Sequence, residues 1–139
     1  MLVSALAFAV GGCTTMNRTM SYGMELGDAK PVIDGRTYNI YVHPTDNTLL
    51  LQRTIANAAG VGLVEGATFG LAQPNNVHAR WRRAAEEFLR PVGCEAVEVY
   101  ALDQASSWEA TFKCPEGIDL RGLVAAQRSA LRNGAPLHP

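Results

Sequence analysis

Cys94 and Cys114 frame the most chemically specific pattern in the chain. The runs Cys94-Glu95-Ala96-Val97-Glu98-Val99-Tyr100-Ala101-Leu102 and Ser106-Ser107-Trp108-Glu109-Ala110-Thr111-Phe112-Lys113-Cys114 alternate in character around the polar break Asp103-Gln104-Ala105. That is the pattern of a β-hairpin. Folding it about Gln104 opposes Tyr100 with Trp108, Ala96 with Phe112, Glu95 with Lys113 and Cys94 with Cys114. Aromatic, opposite-charge and cysteine pairs then coincide, as cross-strand stabilisation favours. Opposed cysteines lie within disulfide reach, and such a bond persists in an oxidising compartment. The alternative is two reduced, buried cysteines in a cytosolic protein. The same register puts Glu98 on one face with Tyr100, Trp108 and Phe112, and sends Glu109 to the other. A carboxyl among aromatics holds its proton more tightly and could act as a general acid. Glycoside hydrolysis would need a second carboxylate beside it.

Other candidate chemistry is sparse. His43, His78 and His138 have no metal-ligand spacing with one another or with the cysteines, and no phosphate-cradling or dinucleotide-binding glycine pattern occurs. A Gly-x-Ser-x-Gly elbow is also missing. His43, next to Pro44, reads as a surface or turn residue, and His138 as part of a loose terminus. No cofactor is expected. Arg80, Arg82 and Arg83 around Trp81 form the densest positive patch. It is either a solvated helix face balanced by Glu86 and Glu87, or a contact for lipid headgroups or an acidic partner. A net charge of −1 supplies no general field for nucleic acid.

The third cysteine has a different setting. Cys13 ends the uncharged run Leu6-Ala7-Phe8-Ala9-Val10-Gly11-Gly12, and small residues behind an apolar stretch read as a secretion signal. Val10-Gly11-Gly12-Cys13 resembles the lipobox of bacterial lipoproteins. The resemblance implies removal of residues 1–12 as a signal peptide, thioether-linked lipid and fatty acid such as palmitate on Cys13, and membrane attachment. Thr14 stands where enteric lipoproteins kept at the inner membrane carry aspartate, which favours the outer membrane facing the periplasm. Residues 14–30 show no sustained apolar period and read as a flexible tether, so that 13–30 would be lipidated cysteine plus tether. At ~3.3 Å per residue the tether would reach about 55 Å when extended.

The elements that must position these residues fall within 31–133, one domain. Asp34-Gly35 between short apolar runs is a hairpin turn. Tyr38, Ile40 and Val42 then alternate on one face, and Pro44-Thr45-Asp46-Asn47 is turn chemistry. Thr48-Leu49-Leu50-Leu51-Gln52 returns as a strand, or starts a helix capped by Asp46 or Asn47; the short turn favours the strand. In 54–72, Ala58, Gly62, Gly66 and Gly70 recur every four residues. Each glycine costs a helix about 1 kcal/mol relative to alanine, so this stretch is either a glycine-rich connection with a short helix or a helix with a close partner on that ridge. Gly62-Leu63-Val64-Glu65-Gly66-Ala67-Thr68-Phe69-Gly70 is similar to the glycine-zipper segment of small outer-membrane lipoproteins of the surface-antigen type, which implies self-association into a homo-oligomer or membrane contact. A helix is expected from Asn75 to Arg90, stopped by Pro91, with Val77, Trp81, Ala84, Ala85 and Phe88 in one stripe. A second is expected from Leu120 to Arg132, capped by Asp119.

These elements predict an α+β fold: an antiparallel sheet of two hairpins with amphipathic helices on one face. The function expected is that of a membrane-anchored envelope lipoprotein with a non-catalytic structural, assembly or adaptor role toward an envelope protein partner. Two other classes compete. One is a periplasmic inhibitor or ligand-binding module acting through loops 44–47 or 103–107; the other is a small hydrolase built on Glu98.

Overall fold

The computed structural model describes residues 11–23, 26–54, 74–102 and 106–139. Side chains are described from position 16 in the first helix and from position 77 in the second. Residues 1–10, the Cys13 side chain, Gly62, Gly66, Gly70 and the Asp103-Gln104-Ala105 turn lie outside that description.

Five strands form one antiparallel sheet: β1 (Val32–Ile33), β2 (Arg36–Val42), β3 (Thr48–Arg53), β4 (Glu95–Ala101) and β5 (Ser107–Lys113), in spatial order β1-β2-β3-β5-β4. Among the described residues three α-helices accompany it: α1 (Gly11–Met20), α2 (Pro74–Leu89) and α3 (Leu120–Arg132). The fold is α+β, as expected. The β1–β2 turn has Asp34 at φ 51° and Gly35 at φ 73°. Two consecutive positive φ values give a type I′ turn, whose twist matches that of the flanking strands. Thr48–Arg53 is a strand paired along β2 and β5.

One face of the sheet carries the apolar core. Tyr38, Ile40 and Val42 of β2, Leu49 and Leu51 of β3, Val99 of β4, and Ala110 and Phe112 of β5 meet Trp81, Ala84, Ala85, Phe88 and Leu89 of α2. Leu120, Val124 and Leu131 of α3 complete that core. Trp81 is fully buried, edge-on to Tyr38 at 5.3 Å between ring centroids and stacked on Trp108 at 5.9 Å. The α2 stripe is therefore the one read from helical spacing. The helix passes into a 3₁₀ turn at Arg90–Val92, closed by Gly93 at φ 74°. Asp119 opens α3 with its carbonyl, which accepts from Leu123 N at 3.0 Å; its side chain makes no capping hydrogen bond.

The β4–β5 hairpin departs from the uniform register. Glu95 faces Lys113 and Ala96 faces Phe112 as expected, but a bulge at Val97 then shifts the pairing by one residue. Beyond it Glu98 faces Thr111, Tyr100 faces Glu109 and Ala101 faces Trp108. A bulge sets two residues against one and redirects the side chains further along the strand. The expected Tyr100–Trp108 pair is thereby replaced, and Tyr100, Glu98 and Glu109 share the face opposite the apolar core. At the unshifted end of the hairpin, Cys94 and Cys114 form a disulfide. The edge strand β4 is further protected by α2: His78 Nε2 donates to Val99 O at 2.9 Å, and Arg82 Nη2 donates to Ala96 O at 3.3 Å. Occupied carbonyls, a bulge and exposed glutamates all discourage edge-to-edge pairing.

Both termini differ from expectation. Residues 14–30 do not behave as a flexible tether where they are described. Tyr22 and Ala29 are buried, Asp28 and Ala29 bond through their backbone N–H groups to Ile40 O, and Lys30 N bonds to Leu131 O. Polar contacts, invisible to an apolar-period reading, hold this segment. At the other end, Leu137 is buried in the core and the His138 backbone exchanges two hydrogen bonds with the Gln127 side chain. The domain thus extends beyond 31–133 on both sides.

Replacing both Cys94 and Cys114 by alanine is expected to destabilise the fold by about 3 kcal/mol, the chain-entropy value for a loop of this size. Urea midpoints of the two proteins measure it.

Candidate functional site

The second face of the sheet is built on a buried charge. Leu50 and Glu109 are cross-strand partners, and Glu109 is in turn the partner of Tyr100. Glu109 has no exposed surface, so its carboxylate must be answered from within the protein. The answer comes from α1. Arg18 Nε donates to Glu109 Oε2 and Arg18 Nη2 to Oε1, each at 2.8 Å, a bidentate fork. Tyr100 donates its hydroxyl to the same Oε1 at 2.5 Å.

Around this pair the network spreads to the β2–β3 turn. Arg18 Nη1 donates to Asp46 Oδ2 at 2.8 Å, and Nη2 also reaches Thr48 Oγ1 at 3.1 Å. Tyr22, one helical turn beyond Arg18, donates its hydroxyl to Thr48 Oγ1 at 2.7 Å. Its ring stands edge-on to His43 at 4.8 Å, and the Arg18 guanidinium lies 5.5 Å from its centroid. Arg121 of α3 donates to His43 O, Thr45 O and Asn47 Oδ1, and so clamps residues 43–47 from the other side.

Charge and burial set the protonation states. Burial pushes the Glu109 carboxyl up, but hydrogen bonds from Arg18 and then from Tyr100 outweigh it, leaving the group below its ordinary value and ionised. Burial, followed by the bond to Glu109, pushes the Tyr100 phenol up to about 12. Burial likewise raises Tyr22, Tyr38 and Tyr41. Hydrogen bonds to Glu109 and Asp46 raise Arg18 further, fixing it as a cation.

Ser21, His43 and Asp46 invite comparison with a nucleophilic triad. Ser21 Oγ lies 3.0 Å from His43 Nε2, and Asp46 Oδ2 lies 3.8 Å from His43 Nδ1. The hydrogen bonds run the wrong way for that chemistry. Asp46 N and Thr45 N donate to Nδ1 at 2.9 and 3.2 Å, so Nδ1 is an acceptor and Nε2 carries the proton. A triad needs Nδ1–H toward the carboxylate and an unprotonated Nε2 toward the serine. Ser21 Oγ instead donates to Arg18 O at 2.6 Å. His43, expected as a surface or turn residue, is buried and ties the turn to α1.

An open cleft of about 650 Å³ lies beside this network, lined among others by Met20, Tyr22, Tyr41, His43, Arg121 and Arg128. Its two arginines are already engaged, Arg121 with the 43–47 turn and Arg128 Nε with Asp28 Oδ1 at 2.9 Å. Among the described residues no group of three or more His, Cys, Asp or Glu side chains could hold a metal ion. Nor is any described helix long and apolar enough to cross a membrane.

The residues singled out from the sequence are scattered. Glu98 is exposed on β4, and its backbone N–H donates to Thr111 Oγ1 at 3.0 Å. Trp108 and Phe112 lie across the sheet from it, because the bulge redirected the register. Glu109, expected on the opposite face, shares Glu98's face but is an ionised anchor for Arg18, the reverse of a general acid. Arg82 pairs with Glu86 at 2.8 Å and Arg83 with Asp34 at 3.1 Å, while Arg80 is also engaged within the protein. The positive patch is therefore largely neutralised within the fold. Sequence reasoning does not reveal Arg18, Tyr22 and Glu109 as a unit. Their one local signal is Arg18 and Tyr22 at helical spacing, in a stretch with no apolar period.

The chain matches no family model, no curated protein and no solved structure.

Removing the cation alone should strand a buried carboxylate. Arg18→Met is expected to cost about 2–4 kcal/mol, and Arg18→Met with Glu109→Leu to recover most of it, read from urea titrations as a double-mutant cycle. The depressed Glu109 group stabilises the fold above its unfolded value of about 4.3 and loses that contribution as pH falls through the folded value; Glu109→Gln should flatten this acid limb. The raised Tyr100 phenol contributes fully below about 10 and less as pH climbs toward the folded value of about 12. Tyr100→Phe should soften the alkaline limb without abolishing it, since other tyrosines are raised too.

Proposed function

We propose that this chain is a bacterial envelope lipoprotein. It would be anchored by lipid on Cys13 and present its α+β domain to another envelope protein in a structural, assembly or adaptor role. One observation carries the reading. The Cys94–Cys114 bond consumes two of the three cysteines, leaving Cys13 at the end of an apolar run behind Val10-Gly11-Gly12. Disulfides persist outside the cytoplasm, so the bridge and the lipobox-like tetrad support the same cellular address. Thr14 after the cysteine favours the outer membrane, facing the periplasm. Anchoring confines the domain to a surface and raises its effective concentration for partners held there.

A non-catalytic role accords with the chemistry of the second face. Its buried acid is ionised by Arg18, and its histidine holds a turn through the tautomer unsuited to activating Ser21. A ligand-binding module is the second reading, favoured by the cleft beside Tyr41 and His43. It ranks lower because that cleft's arginines are committed to the fold. Self-association through Gly62, Gly66 and Gly70 is a further part of the proposal that rests on the sequence alone.

Intact-mass analysis of material expressed with its leader should show residue 13 as the amino terminus, with diacylglycerol and acyl additions. Cys13→Ser should move the protein from the membrane fraction to the soluble fraction. A retained leader and unmodified thiol would overturn the proposal.

A further inference from the structure

We infer that α1 is an interfacial helix. One side grips the domain and the other lies on the phospholipid surface, so that the domain is held directly against the membrane in one orientation. The inference rests on the lipoprotein reading above and deepens it.

Helical spacing divides α1 into two sides. At 3.6 residues per turn, positions three and seven beyond residue 13 return to its stripe, while positions five and nine fall on the other side. Met16 and Met20 therefore share the stripe of residue 13, Arg18 occupies the far side, and Tyr22 follows in the turn after the helix. The structure gives the two sets different surroundings: Met16 and Met20 border an open groove beside Tyr41, Leu50 and Gln52. Arg18 and Tyr22 are bonded to Glu109, Asp46 and Thr48 of the sheet and its turn. Met16 is 61% exposed and Met20 44% exposed. Leu26, a few residues beyond the helix, is 70% exposed and belongs to the same cleft wall as Met20. Large apolar side chains grouped in this way mark a contact surface.

The flank of that surface is basic. Arg132 donates from Nε to Gly27 O at 2.9 Å and from Nη2 to Leu26 O at 2.8 Å, which puts a guanidinium beside the exposed leucine. Arg128 stands next to it with 43% of its side chain exposed, paired to Asp28. Apolar residues bordered by cationic charge match the acyl–headgroup boundary of a bilayer, where aliphatic groups sink in and the charge of Arg132 lies near the phosphates. The anchor position continues the same stripe: Cys13 lies seven residues from Met20, about 10 Å along the axis at ~1.5 Å per residue. Lipid on residue 13 would bring the stripe to the membrane in any case. The Arg18 fork then leaves the domain little freedom to stand off, in place of a reach of tens of ångströms. On the opposite sheet face, α2 is turned toward the aqueous side, where a partner would approach it.

The test uses the full-length acylated protein in vesicles of phosphatidylethanolamine and phosphatidylglycerol that carry a headgroup-region nitroxide lipid. Intact mass first verifies the acyl groups. With Cys13 acylated and Cys94–Cys114 bridged, a single added cysteine can be labelled with a fluorophore at Leu26→Cys or, on α2, at Ala79→Cys. Quenching at position 26 is expected to exceed that at position 79 by about threefold or more, as depth-dependent burial of an interfacial segment implies. Met16→Glu with Met20→Glu, both at exposed sites, should at least halve the quenching at position 26. Equal quenching at the two positions in acylated protein, or no effect of the glutamates, would overturn the interfacial helix and leave the lipoprotein reading standing. An unacylated Cys13 in the mass spectrum would overturn both, so the two failures are read separately.

Discussion

Glu109 lies fully buried in a β-strand, and its carboxylate is ionised because Arg18, ninety-one residues earlier in the chain, closes a two-bond fork on it. Much else depends on that pair. Without a cation the strand could not hold a charge there, and without the charge α1 would have no specific place to dock. Ion pairs of this kind seldom add much net stability over an apolar alternative, since both groups must be desolvated. Their strength is geometric: a planar guanidinium meets a carboxylate in one orientation. Position is the interaction's main contribution, and from that position come the Tyr22–Thr48 bond, the edge-on packing on His43 and the Arg18 bond to Asp46 in the 43–47 turn.

The two faces of the sheet obey different physics. The face under α2 and α3 is held by apolar area, with Trp81 between Tyr38 and Trp108 at its centre. Such contacts are non-directional and tolerate rearrangement at modest cost. The face under α1 is held by directional bonds among Arg18, Glu109, Tyr100, Tyr22 and Thr48. The apolar side gives a body that folds, and the polar side fixes where α1 sits on that body.

Much of the architecture is legible in the sequence because it is locally encoded. Asp34-Gly35 specifies a type I′ turn by its tolerance of positive φ, the α2 stripe follows from helical period, and the cysteine spacing carries its own register. The bulge at Val97 is not legible. One inserted residue leaves the alternation on both sides intact, so each half of the strand reads normally while the partners change. That single shift reassigns the candidate site, because it turns Glu109 and Tyr100 to the same face. The segment before Pro31 is illegible for a related reason. Its attachment is polar and long-range, and a search for apolar periodicity cannot detect an arginine destined for a carboxylate in another strand.

By itself, then, the amino-acid order determined the α+β class, the hairpins, the disulfide and the two amphipathic helices, since each depends on residues near one another in the chain. It also placed a candidate lipid attachment at Cys13. Only the tertiary structure decided that Glu109 is a buried anchor, that Arg18 answers it, and that the chain after Cys13 packs against the sheet. The reason is physical. A charge is settled by whatever surrounds it in space, and for Glu109 those surroundings come from a helix and a turn far away in the sequence.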